Sequence, residues 1–417
     1  MKPLPYRWEL VGWLWLAFLL NQADRQIFNI VLPLVKSDLR LSDVQAGLVA
    51  SVFTASLAVM IPVAGYAGDI YCRKRIIVCS LLGWSLSTLL TGFSPGLLYL
   101  IVVRSVATGV GEAFYAPSAF SLIAEHHIET RAQAMAVHQT SLYVGVVLSG
   151  LLAGYFGDRF GWRSAFWTFG FVGIVVASVM SRRLRGSSPG SSPGAERPPA
   201  RLVLRTILSR PTALLLALAL GGMVFVNIGY LTWMPTYLHE RFHLSLANAG
   251  FSSMFYHHLF AFFGVMLGGR LSDHFARTRP RFRLELQGAG LLLATPFLYL
   301  IGSTSELAPT YFALGAFGFF RGFYDSNIYA SLFEVIEPRF HASASGVMTA
   351  FAFVVGSFAP VALGAVKQAV GLSLGLSGLS LVYLAAAGSM FTAVSVFFQD
   401  DFLKRVGGSE CSVSTAK

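Results

Sequence analysis

Charge is scarce in this chain. Charged residues fill only 12% of the 417 positions, about half the share found in soluble domains. So little polar surface cannot keep a chain of this size in water, and a hydrophobic content of 55% excludes a disordered or collagen-like chain. Cysteine is nearly absent as well. Cys72, Cys79 and Cys411 lie far apart and form no paired Cys/His spacing, which excludes a zinc site and a disulfide scaffold. Acidic residues are fewer than basic ones, 20 against 31, for a net charge of +11. No basic face on a soluble module accompanies that excess, so a nucleic-acid partner is not expected. No nucleophile, phosphate loop or metal cluster stands out, so neither an enzyme nor a bound metal or cofactor is expected. His257 and His258 are adjacent and hence on different helical faces, which argues against a shared metal site.

What the chain has instead is a series of apolar runs, each long enough to cross about 30 Å of hydrocarbon. Twelve are expected, near 9–34, 44–66, 76–94, 97–124, 132–157, 163–181, 211–238, 247–271, 284–303, 308–335, 341–367 and 371–399. The basic, apolar N-terminus runs into Asn21, Asp24 and Arg25 with no small-residue cleavage site, so it reads as a first span. The residues after Leu184, up to Arg201, are too rich in Gly, Ser and Pro to pack, and divide the spans six and six. Four regions follow: a first half at 1–181, a flexible linker at 182–210, a second half at 211–399 and a tail at 400–417.

With the N-terminus inside, 22 of the 31 lysines and arginines fall in inside loops and only 6 in outside loops. Both termini and the linker are therefore expected on the cytoplasmic side of a plasma or inner membrane. The halves also repeat. Gly65, Asp69, Arg73 and Lys74 follow the second span, and Gly269, Asp273 and Arg277 follow the eighth at a constant offset. Ile128-Glu129-Thr130-Arg131 matches Ile336-Glu337-Pro338-Arg339 at nearly the same offset, as two duplicated halves require. The expected fold is all-α, twelve transmembrane helices in two pseudo-symmetric halves.

The G-x-x-x-D-x-x-x-R-K loop after span two, echoed after span eight, resembles the signature of the major facilitator superfamily. The pattern departs at Ile70, where the family usually carries a second basic residue, and at Cys72, usually glycine. Asn21-Gln-Ala-Asp24-Arg25 and Gly109-Val-Gly-Glu112-Ala113 resemble the N-x-x-D-R and G-x-G-E-A patterns of Spinster-like transporters. The anion:cation symporters share the D-R pair and the glutamate. Those relatives place an arginine four residues before the first glycine of that motif, whereas Arg104 precedes Gly109 by five. The extra residue rotates its side chain by about 100° unless a π-bulge absorbs it. Gly145 to Gly154 has the small-residue spacing of the superfamily's antiporter motif without its proline, which tilts the reading away from drug efflux.

Asn21, Asp24, Arg25 and Phe28 fall on one helical stripe inside span one. A charge at the bilayer centre costs at least about 2.5 kcal/mol, so Asp24 and Arg25 must face water, ligand or other charges. Being adjacent, they point about 100° apart and are expected to have different partners. Arg25 supplies a fixed cation for a carboxylate, and Asp24 and Glu112 are candidates to carry a coupled proton. Arg104, Arg321, Asn21, Tyr230 and Asn327 are further substrate candidates. Asp325, one turn from Arg321, is either a proton site or half of a self-neutralised pair, and His138 either titrates or makes a helix contact. Asn227, Tyr324 and Trp233 complete a possible apolar and hydrogen-bonding wall. The repeated Gly65, Asp69, Arg73, Lys74 and Gly269, Asp273, Arg277 read as a gating latch at the cytoplasmic helix ends.

The expected activity is proton-coupled symport of a small organic anion, a sugar acid or other carboxylate. The partners are that anion, protons and the bilayer, and the transporter is expected to be a monomer powered by the proton gradient alone. A Spinster-like carrier of lysophospholipid or another amphiphile is the alternative the resemblance implies. A membrane sensor lacks the soluble output domain it needs.

Overall fold

Apolar runs in hydrocarbon cannot leave backbone N–H and C=O groups unpaired, so each must close its hydrogen bonds on itself as a helix. A computed structural model of the chain describes residues 5–185 and 200–405, apart from the side chains of Asp69, Ala132, Ala200, Arg339 and Ala342. Helix dominates it. The first six spans are α1 (Tyr6–Asp38), α2 (Asp43–Ile70), α3 (Arg73–Thr91), α4 (Leu97–His126), α5 (Arg131–Phe160) and α6 (Trp162–Arg183). After α7 (Ala200–Leu208) come α8 (Pro211–Phe242), α9 (Leu246–Phe275), α10 (Phe282–Ser303) and α11 (Leu307–Asp325). The chain continues through α12 (Ile328–Phe333), α13 (His341–Ser357), α14 (Ala359–Val370) and α15 (Leu372–Thr392).

Each of the twelve expected spans coincides with helix, and the protein is an integral, multi-pass membrane protein. Eight of the helical segments are long and apolar enough to cross a bilayer by themselves. The rest, α1, α3, α9 and α11, carry the polar residues that lower their hydropathy. Asn21 to Gln26 interrupt α1, Ser80, Ser85 and Ser87 interrupt α3, His257 and His258 interrupt α9, and Arg321 interrupts α11. The break between α13 and α14 lies just before Pro360, which has no N–H and whose ring clashes with the preceding turn.

Part of the expected linker is ordered as α7, a correction to its reading as wholly flexible. Residues 186–199, which hold most of the Gly/Ser/Pro run, and tail residues 406–417 lie outside the described residues.

By packing, the chain forms two units. Of the described residues, one holds 5–185, 231–255 and 360–368; the other holds 200–230, 256–359 and 369–405. In the first, small residues bring helix backbones together. A Cβ on Gly170 would meet the backbone of Leu89, joining α6 to α3, and one on Gly145 would meet the Leu19 carbonyl, joining α5 to α1. Leu10, Leu14 and Phe18 of α1 pack with Trp84 of α3, Tyr115 of α4 and Met180 of α6 in its core. In the second, α10 packs along α15 and α11, with Gly302 against the Ser373 carbonyl.

Candidate functional site

Polar residues in the middle of α1 must find partners on neighbouring helices. Asp24, 4% exposed, accepts a hydrogen bond at Oδ2 from Thr88 Oγ1 of α3, while Arg25 donates through Nε to Glu112 Oε2 at 2.6 Å. The adjacent acid and base thus face different helices. Gly109 lies against the Phe53 carbonyl and Gly111 against the Trp84 backbone, and these close approaches bury Glu112 between α2 and α3. Arg25 is not fully buried; 24% of its side chain is exposed.

Arg104 reaches the same place from a distorted turn. Leu100–Ala107 is π-helical, and the Thr108 N–H bonds back to the Val103 carbonyl, five residues earlier. The wide turn takes up the additional residue between Arg104 and Gly109. Arg104, expected as a substrate contact, is packed against the backbone of α1. It is 3% exposed, lies over the Phe53 ring at 4.7 Å, and its Nη2 donates to the carbonyls of Asp24 (3.2 Å) and Arg25 (3.3 Å). Asn21 is also buried, accepting from Gln22. Five buried polar atoms in this group have no hydrogen-bond partner among the described residues: Asn21 Nδ2, Asp24 Oδ1, Arg104 Nε and Nη1, and Glu112 Oε1. Such atoms are rare in packed interiors and mark a place for protons, water or ligand.

His138 stands apart from these charges. Tyr115 uses its single hydroxyl proton on the Leu14 carbonyl at 2.5 Å, so His138 Nε2, 3.1 Å from that oxygen, is the donor. Its ring stacks on Phe18 at 4.7 Å. These contacts join α1, α4 and α5 through His138.

In the second unit, Arg321 pairs with Asp325 at 3.3 Å, and its Nη1 contacts Asn227 Oδ1 at 2.6 Å and His257 Nε2 at 2.9 Å. Tyr230 is fully buried with its ring 5.0 Å from that of His257. Asn327 does not join them: it accepts from Ser272 and Arg283 near the end of α9. Trp233 donates to the Pro360 carbonyl at 2.9 Å, within the first unit.

At the helix ends singled out as a latch, Arg73 pairs with Glu125 at 2.8 Å. Asp273 pairs with Arg283 at 3.5 Å rather than with Arg277, which is exposed just past α9. Lys74 is half-buried in the first turn of α3, Gly65 and Gly269 have open space around them, and the side chain of Asp69 lies outside the described residues.

Sequence reasoning missed the opposite end of the first unit. There Asp158 of α5 accepts from the N–H groups of Leu246 and Ala247 at 3.1 Å each, capping α9. Two turns deeper along α5, a Cβ on Gly150 would meet the Gly250 carbonyl at 2.5 Å. Asp43 accepts from Lys36 (2.6 Å) and lies 3.3 Å from Lys367, which also binds Glu240 (2.7 Å). Asp38, the last residue of α1, accepts from Arg163 and Trp162, which ties the end of the first span to α6. The sequence signal for the glycine contact was present in the spacing of Gly150 and Gly154.

Residues 14–360 match the family model of the Major Facilitator Superfamily. The chain belongs to that superfamily. It is a membrane transporter. A hexuronate transporter of Bacillus subtilis is 24% identical across 96% of both chains, and the human protein spinster homolog 1 is 28% identical over 68% of this chain and 57% of its own length. The fold matches that of a bacterial homolog of the human lysosomal transporter Spinster, in its inward-facing, unoccupied conformation, with a TM-score of 0.84 at 22% identity. That match covers 96% of this transporter and 99% of the other chain.

For the transporter, the backbone bonds of Arg104 make it a brace for α1. Arg104→Met should weaken substrate affinity roughly tenfold, the loss of about one charge-assisted hydrogen bond. Arg104→Lys, whose ammonium can bind the same carbonyls, should recover most of it. Equal losses in an equilibrium binding assay would instead mean that the guanidinium itself touches the substrate.

Proposed function

We propose that this transporter couples proton entry to the uptake of a small organic anion, a sugar acid or another carboxylate, by alternating access. The observation that carries this reading is the way Arg25 is held. Glu112 engages only its Nε, and the partly exposed guanidinium keeps its two terminal nitrogens for a ligand, a fork suited to two-point binding of a carboxylate.

Two anions then compete for one cation. When Glu112 takes a proton, its hold on Arg25 weakens and a substrate carboxylate can replace it; when the proton leaves, Glu112 reclaims Arg25 and the substrate is released. Proton and anion therefore travel together, and no cofactor is needed. Asp24, with an unpartnered Oδ1 beside the same brace, is a second proton holder, and the Asp325 and Arg321 pair is a third locus. The named substrate of the Bacillus subtilis relative, a hexuronate, is a sugar acid and agrees with such a site.

The lysine and arginine count supports one direction, with both termini on the cytoplasmic side of a plasma or inner membrane. The contacts around Asp158, Gly150 and Lys367 are then the outer closure, and the pairs at Arg73 and Asp273 belong to the cytoplasmic gate. One chain supplies every group named, so a monomer suffices.

Purified protein tests the substrate class directly, since a ligand that binds only the folded state raises its melting temperature. Sugar acids should raise it and neutral sugars should not. Stabilisation by lysophospholipids with sugar acids inert would instead favour the amphiphile reading.

The outer closure gives a second test. Gly150→Leu places a side chain where α5 and α9 touch, so labels at the outer ends of those helices should move apart relative to wild type. Unchanged distance distributions would mean that this contact does not report closure.

A further inference from the structure

The linker helix α7 has a two-sided surface apart from the residues of the candidate site. Val203 and Ile207, 2% and 7% exposed, form its buried stripe, and the helix packs against α13. Leu204 and Leu208 are 49% and 57% exposed and lie one turn apart. At about 100° per residue they form a stripe roughly 60° from a second one made by Arg201 and Arg205. Both arginines are exposed and neither forms an ion pair among the described residues.

Its position is tied to the membrane. Leu208 precedes Pro211, the first residue of the membrane-spanning α8, by three residues, a reach of at most about 10 Å. The joint is held: the Arg210 N–H bonds to the Ile207 carbonyl at 3.1 Å, Arg210 Nη1 donates to the Asp401 carbonyl at 3.2 Å, and the Asp401 carboxylate accepts from the N–H of Thr212 at 2.9 Å. An apolar stripe beside a basic stripe, fixed at the edge of a span, has the form that sits in a bilayer interface with its leucines among upper acyl carbons and its cations among phosphates.

We propose that α7 is a lipid-binding element of the linker-side leaflet, with Arg201 and Arg205 engaging the phosphates of anionic phospholipids and Leu204 and Leu208 anchored beneath them. Each arginine near a charged leaflet strengthens attachment roughly fivefold, so the pair should contribute about 25-fold.

The test uses the full chain with Cys72, Cys79 and Cys411 replaced by serine and single spin labels at positions 204 and 208. It is reconstituted in vesicles of phosphatidylcholine alone or with one quarter phosphatidylglycerol. Oxygen and a water-soluble nickel complex report label depth. The proposal expects both labels at acyl-boundary depth in the anionic vesicles, shallower in neutral ones. That difference should vanish in Arg201→Gln/Arg205→Gln and return in Arg201→Lys/Arg205→Lys, because phosphate accepts either cation. Labels that face water in both vesicles, or that are shielded from both reagents by protein, would overturn it. So would lipid-level labels indifferent to phosphatidylglycerol and to the arginines.

Discussion

Arg25→Ala should weaken binding of the transported anion by roughly 30- to 1,000-fold, the equivalent of about 2 to 4 kcal/mol for a desolvated charged partner. The change removes the fork and also leaves Glu112 buried with no ion-pair partner, since among the described residues Arg25 is its only hydrogen-bonding contact. The double variant Arg25→Ala/Glu112→Gln separates the two effects. It should fold as the parent does and still fail to bind, because the missing cation, rather than the stranded acid, is what the substrate needs. Arg25→Lys should restore little, as an ammonium is a point charge without the planar fork. Equilibrium binding of labelled substrate decides it, and wild-type affinity in Arg25→Ala would sink the anion reading.

Glu112→Gln separates exchange from accumulation. The amide keeps the shape of the neutral acid and cannot reclaim Arg25 as an anion, so labelled substrate should still equilibrate across a vesicle membrane while accumulation driven by a pH gradient alone falls to background. Asp24→Asn gives the same split if the two acids, set around one brace, titrate as a coupled pair. Should Glu112→Gln keep full gradient-driven accumulation, the coupled proton belongs to Asp24 or Asp325, and Glu112 serves only to hold Arg25.

Most of the framework was readable before any coordinates. Twelve apolar runs follow from bilayer thickness, which acts on composition over about 20 residues and leaves a strong linear trace, and the repeated loop is plain in the sequence itself. Asp24, Arg25 and Glu112 were legible for the same reason: charge inside an apolar run is costly and conspicuous. Their partners were not. Thr88, Glu125, Arg283 and His257 are ordinary residues in their own segments and gain meaning only when helices distant in sequence lie side by side. Asn327 looked like a neighbour of Arg321 because both sit near the tenth span, yet the helix breaks between Asp325 and Ile328 and its side chain turns to Ser272. The linker helix escaped notice because its apolar period covers only two turns beside a run of Gly, Ser and Pro.

The π turn at Leu100–Ala107 bears on how this chain is compared with others. A residue-by-residue alignment anchored on Gly109 and Glu112 sets Arg104 one column out of step with an arginine four positions before the glycine. A reader of columns would score the cation as lost or moved. The wide turn nevertheless brings Arg104 onto the α1 backbone beside Asp24. Position along the chain does not by itself say where a charge in this helix lands, so searches for kindred transporters should allow a gap between that arginine and the glycine pair.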